Sequence, residues 1–300
     1  MKTLLNVVRR NLKLFFKDKG MFFSSLITPI ILLVLYATFL ARIYRSSFSS
    51  AMPKGFTIPS DLLNGLVVSQ LISALLAVSC VTVSFCANLL MIQDKANSSI
   101  RDFKVSPVKR SILAASYYIA SSASTLIITF SALCVSLAYL ATQGWYMSAA
   151  DILFVALDVL LLTLFGTALS SCINFFLNTN GQASAVGTIV SAGYGFICGA
   201  YMPISSFGGG LQKILSFLPG TYGTCLLKNH MMRGVFSEME RIGFPSMAIE
   251  EIKDGVDANL YFFDHKVSIS VMFAVLIGSI ILFTGLFILF HILRRNVKTN

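Results

Sequence analysis

The sequence has few charged residues. Asp, Glu, Lys and Arg make up 12% of its 300 residues, whereas about a quarter of a typical soluble domain is charged. Hydrophobic residues make up 56% of the chain, and the charges lie in clusters with long apolar runs between them. This composition excludes a water-soluble enzyme with one core, and it excludes a disordered chain because apolar side chains are abundant. We therefore expect an integral membrane protein.

Motifs for nucleotide binding and hydrolysis are also absent. The sequence contains no phosphate-binding G-x-x-x-x-G-K-S/T loop, no G-x-S-x-G elbow and no H-E-x-x-H pair. His230, His265 and His291 are far apart and lack Cys/His metal spacing. We expect no enzyme activity, metal site or cofactor in this chain. A partner or an ion gradient would have to supply any energy that it uses.

Cysteine usage gives no sign of an extracellular disulfide. Five of the six cysteines lie inside apolar stretches, where Cys behaves as a small hydrophobic residue: Cys80, Cys86, Cys134, Cys172 and Cys198. Cys225 alone lies outside them. The net charge of +10 does not predict nucleic acid binding, because the basic residues flank apolar segments instead of forming one basic face.

Six apolar stretches are long enough to cross a membrane. A helix rises about 1.5 Å per residue, so about 20 residues span a hydrocarbon layer of ~30 Å. Continuous apolar runs are unlike the alternating strands of a barrel. We predict an all-α integral membrane protein with six transmembrane helices, the first five within 21–202, at 21–41, 62–92, 112–141, 152–177, 183–202 and 268–292.

The distribution of Lys and Arg predicts the orientation, because cytoplasmic loops are enriched in these residues. Of the 23 Lys and Arg, 14 lie in the N-terminal segment, the loop after the second helix and the tail at 293–300. Both termini are therefore expected in the cytoplasm. We expect a multi-pass protein of the plasma membrane of a bacterium.

Residues 1–20 have the pattern of an amphipathic interfacial helix. Leu4, Val8, Leu12 and Phe15 share one face, and basic residues share the other. Such a helix lies in the inner headgroup layer of the lipid membrane. The alternative is an ordinary positive stretch beside the first span.

The loop at 93–110 is densely charged. Within it Ile100 and Phe103 could form a short apolar face among Asp94, Arg101 and Asp102. A short charged helix with two exposed apolar residues suits a soluble cytoplasmic partner. The alternative is a solvated loop whose charge only fixes the topology.

Residues 203–267 form the one sizeable polar region. Leu211, Ile214, Leu215 and Leu218 follow helical spacing, but this run is too short to span. We predict a re-entrant helix here, followed by a small acidic extracellular cap before the last span.

Two stripes of small or polar residues lie within predicted spans. Gln70, Ser73, Ser84 and Asn88 share one direction on the second helix, and such a stripe should face protein or a cavity instead of lipid. Small residues recur every four positions on the fifth helix, which permits close helix packing: Gly187, Ser191, Gly195 and Gly199. Each stripe indicates a translocation path, a dimer contact or packing inside one bundle.

Asp158 lies inside the fourth predicted span. A carboxylate in a membrane segment is costly and often functional. Proton coupling is one interpretation; a structural hydrogen bond or a position near the outer interface is the other.

The order of these features resembles the membrane subunit of a type-2 ATP-binding-cassette (ABC) exporter. Lys17-Asp18 and Pro29 are similar to the family's basic-acidic pair and first-span proline. The stretch 94–107 resembles its coupling helix, with Ser98-Ser99 where Gly-Thr is usual and Pro107 at its end. Residues 199–222, with Met202-Pro203 and Leu218-Pro219-Gly220-Thr221-Tyr222, resemble its proline-rich stretch.

The resemblance implies a pore of two membrane subunits, identical or different, driven by two cytoplasmic ABC ATPases that bind ATP and Mg. Asp94, Arg101, Asp102, Phe103 and Pro107 would couple the chain to its ATPase. Gln70, Ser73, Ser84, Asn88 and Ser191 would line the path for an amphipathic or hydrophobic cargo, such as a drug, antibiotic, peptide, lipid or glycan. Gly187, Gly195 and Gly199 would serve dimer or helix packing.

Two other functions fit the sequence. An ion-coupled secondary transporter would depend on Asp158, but the halves of the chain show no convincing repeat of the kind common in such folds. A membrane scaffold or sensor would bind a ligand with its extracellular cap.

Overall fold

The computed structural model describes residues 2–50, 58–97, 99, 108–263 and 265–293. Within them the chain is helical apart from loops and one short antiparallel strand pair, β1 (Tyr261–Phe262) and β2 (His265–Lys266), which confirms the all-α class. The helices are α1 (Lys2–Lys17), α2 (Lys19–Leu35), a π-helix (Tyr36–Leu40), α3 (Ala41–Ser50), α4 (Ser60–Ala87), α5 (Leu89–Ala96), α6 (Arg110–Gln143), α7 (Ala149–Phe176), α8 (Asn180–Ile197), a 3-10 turn (Ile204–Ser206), α9 (Gly209–Leu215), α10 (Pro219–Arg241), α11 (Ser246–Gly255) and α12 (Ile269–Leu293).

The described part of the chain contains five segments that are long and apolar enough to cross a membrane: Lys19–Ser46, Ser60–Ala96, Arg110–Gln143, Ala149–Phe176 and Ile269–Leu293. They correspond to five of the six predicted spans. The remaining one, at 183–202, forms α8, which has 18 residues and is therefore roughly 27 Å long. Polar Asn180 and Gln182 begin α8, and it is not among the five. A sixth crossing stays a prediction.

α1 forms as its amphipathic pattern predicts. Val8 and Phe15 are buried, and Leu4 and Leu12 are half-buried, while the helix packs on α6. α1 ends at Lys17, and Asp18 begins the next helix because its side chain accepts a hydrogen bond from the Met21 backbone N–H at 3.1 Å. A carboxylate at this position satisfies a free amide and favours the helix dipole.

α4 is the central helix of the bundle. Its apolar window is completely buried, whereas only 18% of the window in Lys19–Ser46 and 17% of that in α12 are buried. α4 packs against α2, α6, α7, α8 and α10. Helices that are apolar on all sides suit a bundle core or contact with lipid. α4 is thus enclosed by protein. The first span and α12 instead expose apolar side chains such as Ile31 and Ile281, as expected for helices that face lipid.

The structure contains a long buried helix within 203–267, where a re-entrant helix and a cap were predicted. The apolar run from Leu211 forms only α9, which ends at Leu215. α10 is a 23-residue helix buried along most of its length, and it packs against α4, α7 and α12. It therefore packs as part of the bundle, and its polar side chains find partners inside the protein. Its re-entrant or extracellular placement stays a prediction. α11 and the strand pair follow, and their extracellular position stays a prediction.

Candidate functional site

Three helices meet through polar side chains at one end of the bundle, which we call the basic end. Arg10 of α1 donates from Nη1 and Nη2 to the two carboxylate oxygens of Asp94, after α4, at 2.6 and 2.9 Å. Tyr117 of α6 donates its hydroxyl to Asp94 Oδ2 at 2.5 Å. The side chains of Arg10 and Asp94 are 34% and 7% exposed. The hydrogen bond with Asp94 raises the pKa of Arg10 above its usual value, and charge-assisted bidentate pairs of this kind are among the stronger polar contacts.

The next residue, Lys95, holds a different helix. Its Nζ donates to the backbone carbonyls of Asn174, Phe175 and Leu177 at 2.9, 2.8 and 2.9 Å. These carbonyls close the C-terminus of α7, where the last turn leaves acceptors without helical partners and the dipole favours a cation. Adjacent residues of α5 thus bind α1 on one side and α7 on the other.

α5 leads directly into the predicted coupling segment. Of the residues assigned to it, Asp94 lies in α5 and makes the contacts given above. Arg101, Asp102, Phe103 and Pro107 lie outside the described residues. Their contact with an ATPase therefore stays a prediction, while the described part of the chain places the start of that segment against α1 and α7.

Two residues of the predicted polar stripe lie in a polar seam between α4, α6 and α7. Ser84 Oγ lies 3.2 Å from Thr167 Oγ1. The amide nitrogen of Asn88 donates to Ser170 Oγ at 2.5 Å and to Ser171 Oγ at 3.1 Å, and its amide oxygen accepts from Ser121 Oγ at 3.0 Å. Ser84 and Asn88 are completely buried. In this conformation they bind neighbouring helices of the same chain.

Gln70 and Ser73 lie further along the same helix and are also buried. Ser73 Oγ donates to the Gln70 backbone carbonyl at 2.8 Å. The side-chain amide of Gln70 is 1% exposed, and neither its nitrogen nor its oxygen has a hydrogen-bond partner among the described residues. A buried amide without partners is unfavourable by about 1–3 kcal/mol. Gln70 is thus the stripe residue with unused hydrogen-bonding capacity.

The glycine stripe of α8 divides into two halves. Gly195 packs on the Tyr201 ring, and Gly199 ends the helix with φ +73°, a backbone conformation that favours glycine. Ser191 is half-buried, and its carbonyl accepts from the Tyr201 hydroxyl at 3.4 Å. A Cβ added at Gly187 would meet no described atom within 4 Å. Gly195 and Gly199 therefore serve packing inside the chain, and Gly187 leaves room for another surface.

Asp158 forms a buried pair with His230 of α10. Its Oδ2 lies 2.6 Å from His230 Nδ1, and the two side chains are 0% and 4% exposed. The imidazole stacks on Phe154 with ring centroids 4.9 Å apart, and it lies 5.9 Å from the Phe273 ring. The pair joins α7 to α10 in an apolar surrounding. Asp158 is therefore an interior residue with a defined partner, and it does not lie at an exposed interface.

Lys228 makes a second buried contact from α10. Its Nζ donates to the Gly199 carbonyl at 2.7 Å and lies 3.4 Å from Asp257 Oδ2. Asp257 also accepts from the backbone N–H of Ile204 at 2.7 Å. A single buried cation therefore joins α10, the end of α8 and the segment after α11.

Sequence analysis missed His230 and Lys228 because α10 contains many polar residues. A local signal was present, since Leu226-Leu227 and Met231-Met232 flank the polar triplet 228–230. Polar residues enclosed by apolar pairs are typical of a buried helix with internal partners. Over the ranges that the structure describes, no group of three or more His, Cys, Asp and Glu residues is arranged to hold a metal ion.

Comparison with protein-family models identifies a family. The family model described as ABC-2 type transporter matches residues 3–231, a range from α1 into α10 that includes the basic end, the polar seam and the Asp158–His230 pair. A comparison with curated proteins found no match.

Proposed function

The chain belongs to the ABC-2 type transporter family and is a multi-pass membrane subunit of an ABC transporter; from this premise we propose that it is half of an exporter driven by a separate cytoplasmic ATPase. The ATPase would bind ATP and Mg, since the sequence has no phosphate-binding loop. The membrane would be the plasma membrane of a bacterium.

The arrangement of Asp94 and Lys95 is the observation that carries this proposal. Both side chains lie on α5, and they bind α1 and the end of α7. A displacement of the segment that follows α5 would move both partners, because each contact is charged and short. We propose that the ATPase binds 98–107 and that α5 passes its movement to the bundle.

The polar seam supports a path that forms only when helices separate. Ser73, Ser84 and Asn88 are enclosed by protein, and Gln70 has an unpaired amide in the same helix. We propose that a movement of α4 relative to α7 exposes this stripe to cargo. An amphipathic or hydrophobic molecule fits such a path because apolar residues surround the few polar groups.

The open side of α8 supports contact with a second membrane subunit. A Cβ added at Gly193 would meet no described atom within 4 Å. Ile189, four positions earlier and therefore on the same side of the helix, is 71% exposed. Small residues on a helix surface allow another helix to approach closely. We propose that this face contacts the second subunit, which is either another copy or a different chain.

Replacement of Asp102 and Phe103 together by Ala tests the proposed ATPase contact. Tagged full-length chain is purified from its native membrane, and the co-purified ATPase is quantified. We expect the ATPase to be lost while the yield and melting temperature of the chain are unchanged. Normal co-purification together with ATP-dependent transport would contradict the proposal.

The Asp158–His230 pair favours a second candidate, an ion-coupled transporter. A buried carboxylate beside an imidazole can hold or release a proton. Under this candidate, Asp158→Asn abolishes transport, and transport follows an imposed proton gradient without ATP. Unchanged transport by the Asp158→Asn variant would remove it.

A further inference from the structure

An aromatic cavity lies between the first span and the segment around α11. Its volume is about 550 Å³, and Phe39, Tyr44 and Phe48 form one wall. Tyr201 and the end of α11, including Glu251 and Gly255, form the other wall. The volume lies within the range of ~300–1,000 Å³ that is common for small-molecule sites. This cavity is separate from the polar seam, the basic end and the Asp158–His230 pair.

The described lining of this cavity carries one negative charge and no positive charge. Glu251 is the only charged residue among the described residues that line it, and no described Lys, Arg or His lies within 4 Å of its carboxylate. The preceding residue, Glu250, differs because Lys253 and Lys266 bind it at 2.9 and 2.8 Å. One carboxylate and four aromatic rings line this cavity, and this combination is suited to a cation because ring faces also attract positive charge.

The wall formed by the first span has an irregular backbone at this position. Tyr36–Leu40 forms a π-helix, and Phe39 and Leu40 of this turn line the cavity. π-helical turns are rare and occur often at functional sites, since they carry a cost in stability. The irregularity thus coincides with the aromatic wall, and this observation is independent of the charge.

We propose that the aromatic cavity binds an amphipathic cation, with its apolar body among the aromatic rings and its positive group beside Glu251. The proposal goes beyond the transport function and does not depend on it, because binding needs neither an ATPase nor a gradient. A failure to find an ATPase partner would leave this proposal standing, and a failure to bind a cation would leave the transport proposal standing.

Two ions of nearly equal shape and opposite charge test the proposal. Full-length chain in nanodiscs of neutral phosphatidylcholine is dialysed against tetraphenylphosphonium or tetraphenylborate, and empty nanodiscs are subtracted. We expect saturable binding of the phosphonium ion and weaker binding of the borate. Glu251→Gln should weaken phosphonium binding roughly fivefold, as expected for loss of one partly exposed charge pair, and should reduce the difference between the two ions.

Two further variants separate the cavity from a general charge effect. Glu240 is an exposed carboxylate on α10 away from the cavity, and Glu240→Gln should leave binding unchanged. A Cβ at Gly255 meets no described atom within 4 Å, so Gly255→Leu should fill the cavity without a clash and abolish saturable binding. No saturable phosphonium binding by the unmodified chain would overturn the proposal. Unchanged phosphonium affinity in Glu251→Gln would also overturn it. So would unchanged phosphonium affinity in a Gly255→Leu variant that has a normal melting temperature.

Discussion

Two regions of the molecule, the basic end and the α10 core, each contain polar contacts between helices, but the contacts differ in their exposure to water. The α10 core comprises α10 with Asp158, Phe154 and Phe273. At the basic end, Arg10 is 34% exposed beside Asp94, whereas Asp158 and His230 are 0% and 4% exposed. A pair that reaches water can break and re-form at small cost, but separation of a dry pair leaves a buried polar group without a partner. We infer that α7 and α10 move together as one unit, and that a displacement at the basic end reaches this unit through Lys95 and the end of α7.

The largest effect should follow from adding one carbon in the α10 core. A Cβ at Gly234 would overlap the backbone carbonyl of Tyr146, which cannot move aside like a flexible side chain. Gly234→Ala should therefore destabilise the protein by about 3 kcal/mol or prevent folding, seen as a lower melting temperature in detergent. Gly278→Ala on α12 is the matched control, because its Cβ meets no described atom within 4 Å. Equal melting temperatures for both variants would refute the tight α10 contact.

Double-mutant cycles compare the two polar pairs directly. We expect a coupling free energy of about 3 kcal/mol from Asp158→Ala, His230→Ala and their combination. Each single variant leaves the other side chain buried without its partner. Arg10→Ala, Asp94→Ala and their combination should give about 1 kcal/mol, because Arg10 is partly solvated. Thermal unfolding supplies all the values. A larger coupling free energy for Arg10 and Asp94 than for Asp158 and His230 would contradict the inference that the α10 core is the more rigid region.

The smallest effect should be an acid dependence at the surface near α11. Hydrogen bonds from Lys266 and Lys253 lower the pKa of Glu250 from 4.5 to about 2. Since the folded pKa is depressed, this stabilisation is present above about pH 4.5 and is lost as pH falls toward 2. Glu250 is 46% exposed, so solvent screening keeps the effect below about 1 kcal/mol. Glu250→Gln should remove this part of the acid-induced fall in melting temperature, and an unchanged pH profile would contradict the assignment.

The features that sequence analysis predicted are those that local patterns encode. The spacing of Val8 and Phe15 predicted the buried face of α1. The coupling role of the segment that begins at Asp94 stays a prediction. The stripe of Ser84 and Asn88 was expected to face protein or a cavity, and the structure places both residues against α7. Such patterns repeat over a few turns of one helix, so they are visible without knowledge of the partner.

The features that it missed depend on distant partners. His230 appeared to be an isolated polar residue because Asp158 lies 72 positions earlier. Lys228 lies in the segment predicted as a polar cap, and its acceptors, Gly199 and Asp257, are each 29 positions away. A polar helix can be buried when each buried charge finds a partner. No periodicity within α10 specifies which partners it will find.

The central claim is that an ATPase bound at 98–107 moves the bundle through α5. Because Lys95 binds the end of α7, α7 packs on α10, and α10 packs on α11, this movement should also reach the region around α11. Hydrogen exchange of the complex purified from its native membrane, with and without ATP, measures this directly. We predict that ATP changes exchange at 246–263 in the unmodified protein. In Lys95→Met this change should be lost while ATP hydrolysis persists, and the control Lys13→Met, on exposed α1 surface, should behave like the unmodified protein. An ATP-dependent change of full size in Lys95→Met, or none in the unmodified complex, would contradict the account.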